Sequence, residues 1–371
     1  MSVRHFAPDE FERVLSPEEK MFIHCAPPRN TSVPTVLRPL LWLVTLVVSG
    51  VTYMRKLLPA HQTHHEDKQC SEFVIHNFVS EKDGQRCSIE SVNAAHSSSG
   101  RRLVCEFFGT CTSDIKGYST SCIMLACAGS LHEHLSTLSS IKNADLVAIA
   151  QQMYEALAFV HALGIYHRDI KLQNFLMTHA NFVVLADFGH ATVFGACGKE
   201  LNRLVLQGAR VSSPDDQSGT SAFRLPQTWT AKKLQLQKQP DPSCNDWFAL
   251  FLSVLQLVTW LVSGRRSAVV ATDADRVRLC GCVNEDQVLS FLTSKGVPEI
   301  ITSRLTGHAS PTDFARGATC KTAVEYLIQG LRDLCSNTQA SSQSCSLVGN
   351  CTEFSLERSV VQPDPQVLIA V

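Results

Sequence analysis

The chain has 371 residues, of which 44% are hydrophobic, and this is enough apolar material for a sizeable core. A formal net charge of −1 excludes a general affinity for polyanions, so nucleic acid is not an expected partner. The 15 cysteines show no paired C-x-x-C spacing, which favours reduced thiols over a zinc site or a disulfide framework.

Two alternatives are open for the apolar segment near the start of the chain. Residues 1–35 lack the charged start and apolar stretch of a cleaved signal peptide. Residues 39–54, PLLWLVTLVVSGVTYM, carry no charge between Arg38 and Arg55. As a helix they would span about 24 Å, close to the roughly 30 Å of a bilayer's hydrocarbon core. We interpret residues 36–58 as a transmembrane anchor, or alternatively as the first strands of a small lobe. An anchor predicts a membrane-associated chain with its main domain in the cytosol, and the strand alternative predicts a cytoplasmic chain.

Apolar residues at helical spacing predict a buried helix in the middle of the chain. They are Leu146, Ile149, Met153, Leu157 and Val160. Asn143 or Asp145 can cap the start of this helix, and Gly164 can end it. The helix therefore leads directly into the polar segment that begins at Tyr166.

That segment, YHRDIKLQNFLMTHANFVVLADFG, holds the side-chain types that a phosphoryl-transfer site needs. Such a site requires a carboxylate to orient the acceptor hydroxyl, oxygen ligands for Mg²⁺ and a cation near the transferred group. Asp169 is the candidate carboxylate and Lys171 the candidate cation. Asn174 and Asp187 are the candidate Mg²⁺ ligands.

The same segment resembles the catalytic and metal-binding loops of eukaryotic protein kinases, with HRDIKLQN followed by DFG. GTSAFRLPQ, residues 219–227, is similar to the end of a kinase activation segment. The resemblance implies an α+β, bilobal fold over residues 70–334, with a small β-rich lobe at 70–124 and a large, mainly helical lobe at 128–334. Residues 336–371 are rich in Ser, Gln and Val without periodicity and are predicted to be disordered.

The resemblance also implies which residues contact ATP in the linking segment and beneath it. CIMLACAG resembles the segment that joins the two kinase lobes. Met124 then takes the gatekeeper position, and Leu125 and Cys127 lie beside the adenine. Leu176, two residues past Asn174, would lie under the adenine ring.

The small lobe departs from the kinase pattern. FVIHNF, residues 73–78, is interpreted as the strand that normally carries a phosphate-binding lysine, with His76 in its place and Glu90 as its partner. An imidazole is mostly neutral at pH 7 and is a weaker phosphate ligand than lysine. Gly50 is the only candidate for the glycine-rich phosphate loop.

Lys171, two residues after Asp169, resembles the Ser/Thr class of kinases. The expected reaction transfers the γ-phosphoryl group of ATP, with Mg²⁺, to serine or threonine of a protein substrate. The departures in the small lobe keep a second interpretation open. It is a catalytically impaired pseudokinase that acts as a membrane-tethered scaffold or binding module. The sequence carries no information on oligomeric state.

Candidate regulatory residues lie in the long segment after Asp187. Ser212, Ser213 and Thr220 are possible phosphorylation sites, and Arg168 is the residue type that binds such a phosphate. The alternative is an unregulated surface loop.

Overall fold

A computed structural model describes most of the two lobes. The described residues are 5–6, 11–13, 40–46, 52–59, 71–93, 101–112, 118–137, 143–194, 199–212, 219–226, 243–263 and 268–345.

The small lobe is a six-stranded sheet with one long helix packed against it. Its strands are β1 (His5–Phe6), β2 (Phe11–Arg13), β3 (Leu40–Leu46), β4 (Thr52–Pro59), β5 (Phe107–Thr112) and β6 (Tyr118–Leu125). Their spatial order is β1-β5-β6-β4-β3-β2, and only the β1–β5 pair is parallel. Helix α1 (Ser71–Asn93) contacts β5 and the turn that follows Asp187.

Of the two interpretations of residues 36–58, the structure supports the strands and not the transmembrane anchor, because residues 40–46 and 52–59 form β3 and β4. Leu40 pairs with Leu57 between these strands, and β4 pairs along its length with β6. The uncharged run, residues 39–54, lies mostly in β3, and a continuous apolar run does not by itself separate a buried strand from a helix. The predicted membrane location relied on the anchor and loses its support.

Among the described residues, one helix is long and apolar enough to cross a membrane, namely Ser243–Val262, and 78% of its apolar 18-residue window is buried inside the protein. This helix is the centre of the large lobe. Phe248 and Phe251 pack against Phe314 within that core.

The segment FVIHNF is helical rather than extended, so its assignment as the lysine-bearing strand is wrong. Buried residues in α1 recur three to four apart at Glu72, His76, Val79 and Asp83, which is the period of a helix. The short run of β-branched and aromatic residues hid this period, because six residues cannot separate the two patterns.

The large lobe is built mainly from helices around α5. The helices are α2 (Leu131–Thr137), α3 (Asn143–Ala162), α4 (Lys199–Leu206), α5 (Ser243–Ser263), α6 (Asp273–Gly281), α7 (Glu285–Ser294), α8 (Glu299–Leu305), α9 (Pro311–Phe314) and α10 (Gly317–Cys345). Five short strands lie beneath the cleft between the lobes: β7 (Gly129–Ser130), β8 (Ile165–Tyr166), β9 (Phe175–Met177), β10 (Val183–Leu185) and β11 (Thr192–Val193). The helix predicted over Leu146 to Val160 is α3, and α5 packs between α3 and α10.

The architecture confirms the predicted α+β, bilobal fold. Two boundaries are corrected. The small lobe, predicted to begin at residue 70, includes strands β1–β4 between His5 and Pro59. The segment predicted to be disordered from Ser336 onward is helical as far as Cys345. Residues 346–371 lie outside the described residues.

Candidate active site

The loop between β8 and β9 carries the candidate base, Asp169, and is fixed from below by a buried aspartate. Asp246, in the first turn of α5, accepts hydrogen bonds from the backbone N–H groups of His167 (2.8 Å) and Arg168 (2.7 Å). Arg168 has a left-handed backbone with φ of 68°, which a non-glycine residue adopts only where its surroundings hold it. Burial would raise the pKa of Asp246, but contacts with His161 outweigh burial and lower it. Asp246 therefore stays ionised as the anchor of this loop.

Asp169 lies at the centre of a close hydrogen-bonded cluster. Its Oδ2 atom accepts from Lys171 Nζ at 2.7 Å and from Asn174 Nδ2 at 2.9 Å. Its Oδ1 atom accepts from the backbone N–H of Thr220 at 2.8 Å and from the Thr220 hydroxyl at 2.7 Å. Burial would raise the pKa of Asp169, but Lys171 and Thr220 outweigh burial and lower it. The carboxylate is thus ionised and held in one orientation.

Thr220 reaches Asp169 only because the residue before it is glycine. Gly219 has φ of +90°, and a Cβ atom there would lie 1.9 Å from the carbonyl oxygen of Arg168. A side chain at this position would therefore push the activation segment away from the catalytic loop.

The lysine of the site is Lys56 on β4, which the sequence interpretation missed. Its Nζ atom lies 2.6 Å from Glu72 Oε1 on α1 and 2.7 Å from Asp187 Oδ1. Burial would lower the pKa of Lys56, but the two carboxylates outweigh burial and raise it well above its usual value. Asp187 likewise has a lowered pKa, because Lys56 outweighs the opposing effect of burial. Lys56 and Asp187 are therefore charged. The contacts of Lys56 with Glu72 and Asp187 join the sheet to α1 and to the Asp187 loop.

His76 and Glu90 do not have the roles predicted for them. His76 is fully buried in α1, one turn after Glu72, and its Nε2 atom bonds the carbonyl oxygen of Cys105 at 2.7 Å. Its ring packs 4.9 Å from Phe188, between the sheet and the Asp187 loop. Glu90 is 18 residues beyond Glu72 in the same helix, a distance of about 27 Å along its axis. The side chain of Glu90 lies outside the described part of the structure.

The sequence offered one signal for the correct pair. Lys56 follows Arg55 at the end of a long apolar run, and Glu72 stands in the first turn of the next helix. A charge within a buried strand needs a partner of opposite sign, which the helix supplies.

The metal-ligand candidates have oxygen atoms available at the cleft. Asn174 uses its amide nitrogen twice, on the backbone oxygen and the carboxylate of Asp169, which leaves its amide oxygen for another partner. The side chain of Asp187 keeps 42% of its area exposed, and its backbone has φ of 64°. Carboxylate and amide oxygens are the donors that Mg²⁺ prefers, so these two residues fit the ion.

The residues predicted to contact adenine lie together in one apolar cluster between the lobes. Met124 at the end of β6 and Leu176 on β9 are both buried, and Cys127 lies in the same cluster with Leu125 packed against it. Met54 on β4, which the sequence interpretation did not single out, belongs to this cluster and pairs with Met124 across the sheet.

In the structure, the strand connection that would cover the phosphates is not the one that contains Gly50. Gly50 was assigned to it, but Gly50 lies between β3 and β4 and outside the described residues. The strand pair that precedes the lysine strand is β2 and β3, and their connection, residues 14–39, contains no glycine. Close approach of that backbone to phosphate groups is therefore less favourable than with glycines.

The activation segment is ordered by contacts with α1 and β11. The backbone N–H of Arg210 donates to Ser71 Oγ at 2.9 Å, and Lys82 forms an ion pair with Glu200. The backbone N–H of Ser212 donates to the carbonyl oxygen of Val193 at 2.9 Å. These contacts need no phosphate.

The predicted regulatory residues fall in different places. Thr220 belongs to the Asp169 cluster, where a phosphate would be repelled by that carboxylate, so the structure favours a positioning role over a phosphorylation site. Ser212 is half-buried, and Ser213 lies outside the described residues. Arg168 directs its backbone to Asp246, and its role as a phosphate ligand stays a prediction.

The buried imidazole of His76 predicts a distinct loss of stability in weak acid. Burial lowers the pKa of His76 to about 4 from the ordinary value of 6.5. The unfolded chain therefore binds more protons between pH 6.5 and 4, and the free energy of unfolding should fall across that window by about 3 kcal/mol. Urea unfolding of the wild type and of His76→Leu from pH 4 to 7 measures the difference, since leucine removes this slope. Parallel pH profiles for the two proteins would contradict it.

The bilobal fold, the Lys56 ion pair and the Asp169 cluster together define the class of protein as a phosphotransferase-like domain. The family model for the protein kinase domain matches residues 61–262, more than half of the chain. The chain belongs to the protein kinase domain family.

Individual kinases match shorter stretches. Probable serine/threonine-protein kinase FMP48 of Saccharomyces cerevisiae is 30% identical over 131 residues, covering 34% of this chain and 31% of that protein. Serine/threonine-protein kinase zyg-8 of Caenorhabditis elegans is 42% identical over 67 residues, covering 17% and 8%. Ribosomal protein S6 kinase-related protein of Homo sapiens is 27% identical over 133 residues, covering 36% and 27%. Each match spans less than a third of the relative's length.

Proposed function

We propose that this chain is a protein serine/threonine kinase that transfers the γ-phosphoryl group of ATP to hydroxyl groups of protein substrates. The observation that carries the proposal is the ion pair of Lys56 with both Glu72 and Asp187. A kinase must neutralise the phosphates of its nucleotide, and this chain has a lysine in place to do so. The histidine substitution that favoured an inactive protein is not part of the site.

The residues have separable roles in the proposed reaction. Asp169 orients the acceptor hydroxyl and accepts its proton, because its ionised carboxylate is held by Asn174 and Thr220. Lys171, bonded to both Asp169 and Thr220, places a positive charge beside the acceptor.

The metal and the phosphates are assigned to the other side of the cluster. Asn174 and Asp187 would hold Mg²⁺, which when bound neutralises charge on the phosphate oxygens. Lys56 is positioned by Glu72 to bind the nucleotide phosphates. Lys171 supports serine and threonine as acceptors through the family resemblance, and the three relatives described above carry kinase names.

A second candidate is a pseudokinase that serves as a scaffold or binding module. The observation that favours it is the connection between β2 and β3, which has no glycine to cradle phosphates. It predicts nucleotide binding that is weak or absent, without turnover.

The assay that separates the two uses the purified full chain with radiolabelled ATP, Mg²⁺ and a mixture of peptides carrying Ser, Thr or Tyr. The proposal predicts label on phosphoserine and phosphothreonine. Label on phosphotyrosine alone would contradict the acceptor class, and no label on any peptide would leave the scaffold as the better account.

A further inference from the structure

Met54 points into the same cleft as the phosphate-binding lysine. Met54 and Lys56 are two residues apart on strand β4, and side chains at that spacing share one face of a strand. Lys56 reaches Asp187 across the cleft, so Met54 faces the cleft as well. Arg55, on the other face, bonds Ser121 on β6 instead.

The Met54 side chain is buried in an apolar cluster that includes residues of both lobes. It is 4% exposed and lies in the apolar cluster that contains Leu176, Ala186 and Cys127. Leu176 follows Asn174 by two residues, so this part of the cluster adjoins the metal-ligand side of the site. The cluster therefore connects the two lobes next to the place where the phosphates would bind.

A nucleotide whose phosphates meet Lys56 and Asp187 must place its base on the nearby apolar surface. Among the described residues, that surface is the apolar cluster that contains Leu176, and Met54 is a buried member of the same cluster. Two groups cannot occupy one close-packed space, so the base and the Met54 side chain exclude each other.

We propose that Met54 occupies the nucleobase position of this cleft and determines how strongly a purine nucleoside binds. The inference rests on the proposed function only in taking a nucleotide as the ligand. Methionine has three rotatable bonds and adapts to irregular spaces, so its side chain can move aside for a base. The contacts that it gives up on moving are subtracted from the affinity for the nucleoside. A nucleoside without phosphates therefore binds weakly. A nucleoside triphosphate binds more tightly, because its phosphates also contact Lys56.

Calorimetric titration of adenosine into the full chain tests this inference without turnover. Met54→Ala should bind adenosine about 10- to 100-fold more tightly than the wild type, the fold-change expected when one buried side chain no longer competes. Met54→Leu keeps a side chain of similar volume and should bind adenosine about as weakly as the wild type. Met54→Val, a good strand former, provides a second truncation with a smaller gain if the alanine variant fails to fold.

Equal adenosine affinity in the wild type and in both truncated variants would overturn the inference, as would absence of adenosine binding in all of them. The outcome is separable from the proposed function. Failure of phosphoryl transfer in the wild type, together with a gain in adenosine affinity in Met54→Ala, would overturn the kinase activity and leave the role of Met54 intact.

Discussion

Replacing Asp169 with asparagine should lower kcat for phosphoryl transfer by about 10²- to 10⁴-fold, the usual contribution of a positioned base. Asparagine has the same shape but no negative charge, so it cannot accept the hydroxyl proton. It would also present an amide group to Lys171 or Thr220, both of which now donate to Asp169. Nucleotide affinity should change little, because the Lys56 pair does not involve Asp169.

A second substitution controls for the loss of a hydrogen-bonded, half-buried carboxylate away from the site. Asp313 accepts from Ser310 in the capping box of α9, far along the chain from the site. Asp313→Asn should lower stability by about 1 kcal/mol and leave kcat unchanged. Steady-state kinetics of both variants make the comparison, and equal kcat values for Asp169→Asn and the wild type would remove Asp169 from the mechanism.

Lys56→Met should lower kcat by about 10²- to 10³-fold, the loss seen when one preorganised charge is removed from a transition state. It should also destabilise the protein by about 3–5 kcal/mol, because the buried carboxylate of Glu72 and the partly exposed one of Asp187 lose their partner. Lys56→Arg keeps the charge and should recover much of the stability, although its planar group does not reproduce the lysine contacts. Thermal unfolding and transfer assays measure the two effects separately.

His76→Leu is the matched comparison, because His76 was the sequence-based candidate for the same role. Leucine preserves apolar packing against Phe188, so activity should stay within a few fold of the wild type. A large loss of activity in His76→Leu together with a small one in Lys56→Met would reverse the assignment made from the structure.

The part of the site that could be predicted from sequence is the part that is local. Asp169, Lys171 and Asn174 lie within six consecutive residues, and Asp187 follows a short hairpin, so their order alone brought them together. The Lys56–Asp187 pair joins residues 131 apart, and no local pattern encodes such a contact. Pairing of β4 with β6 creates it, and that pairing depends on the whole sheet.

Two errors in the small lobe have one physical cause. The uncharged run at residues 39–54, which forms β3 and the start of β4, lacks the alternation that identifies a half-buried strand, so it resembled a membrane helix. If that run is a membrane helix, the next β-branched segment, in α1, is the remaining candidate for the lysine strand. The helical period of Glu72, His76 and Asp83 is visible only in the structure, because these side chains are polar and the sequence does not show that they are buried.

The most direct test of the central claim, that Lys56 and Asp187 complete a site for a nucleotide and Mg²⁺, is calorimetric titration of a non-hydrolysable ATP analogue. The titration is run with and without Mg²⁺, on the wild type, Asp187→Asn and the control Asp313→Asn. We expect Mg²⁺ to tighten binding in the wild type and in Asp313→Asn, and to have no effect in Asp187→Asn. Binding that ignores Mg²⁺ in the wild type, or that keeps its Mg²⁺ dependence in Asp187→Asn, would contradict the account.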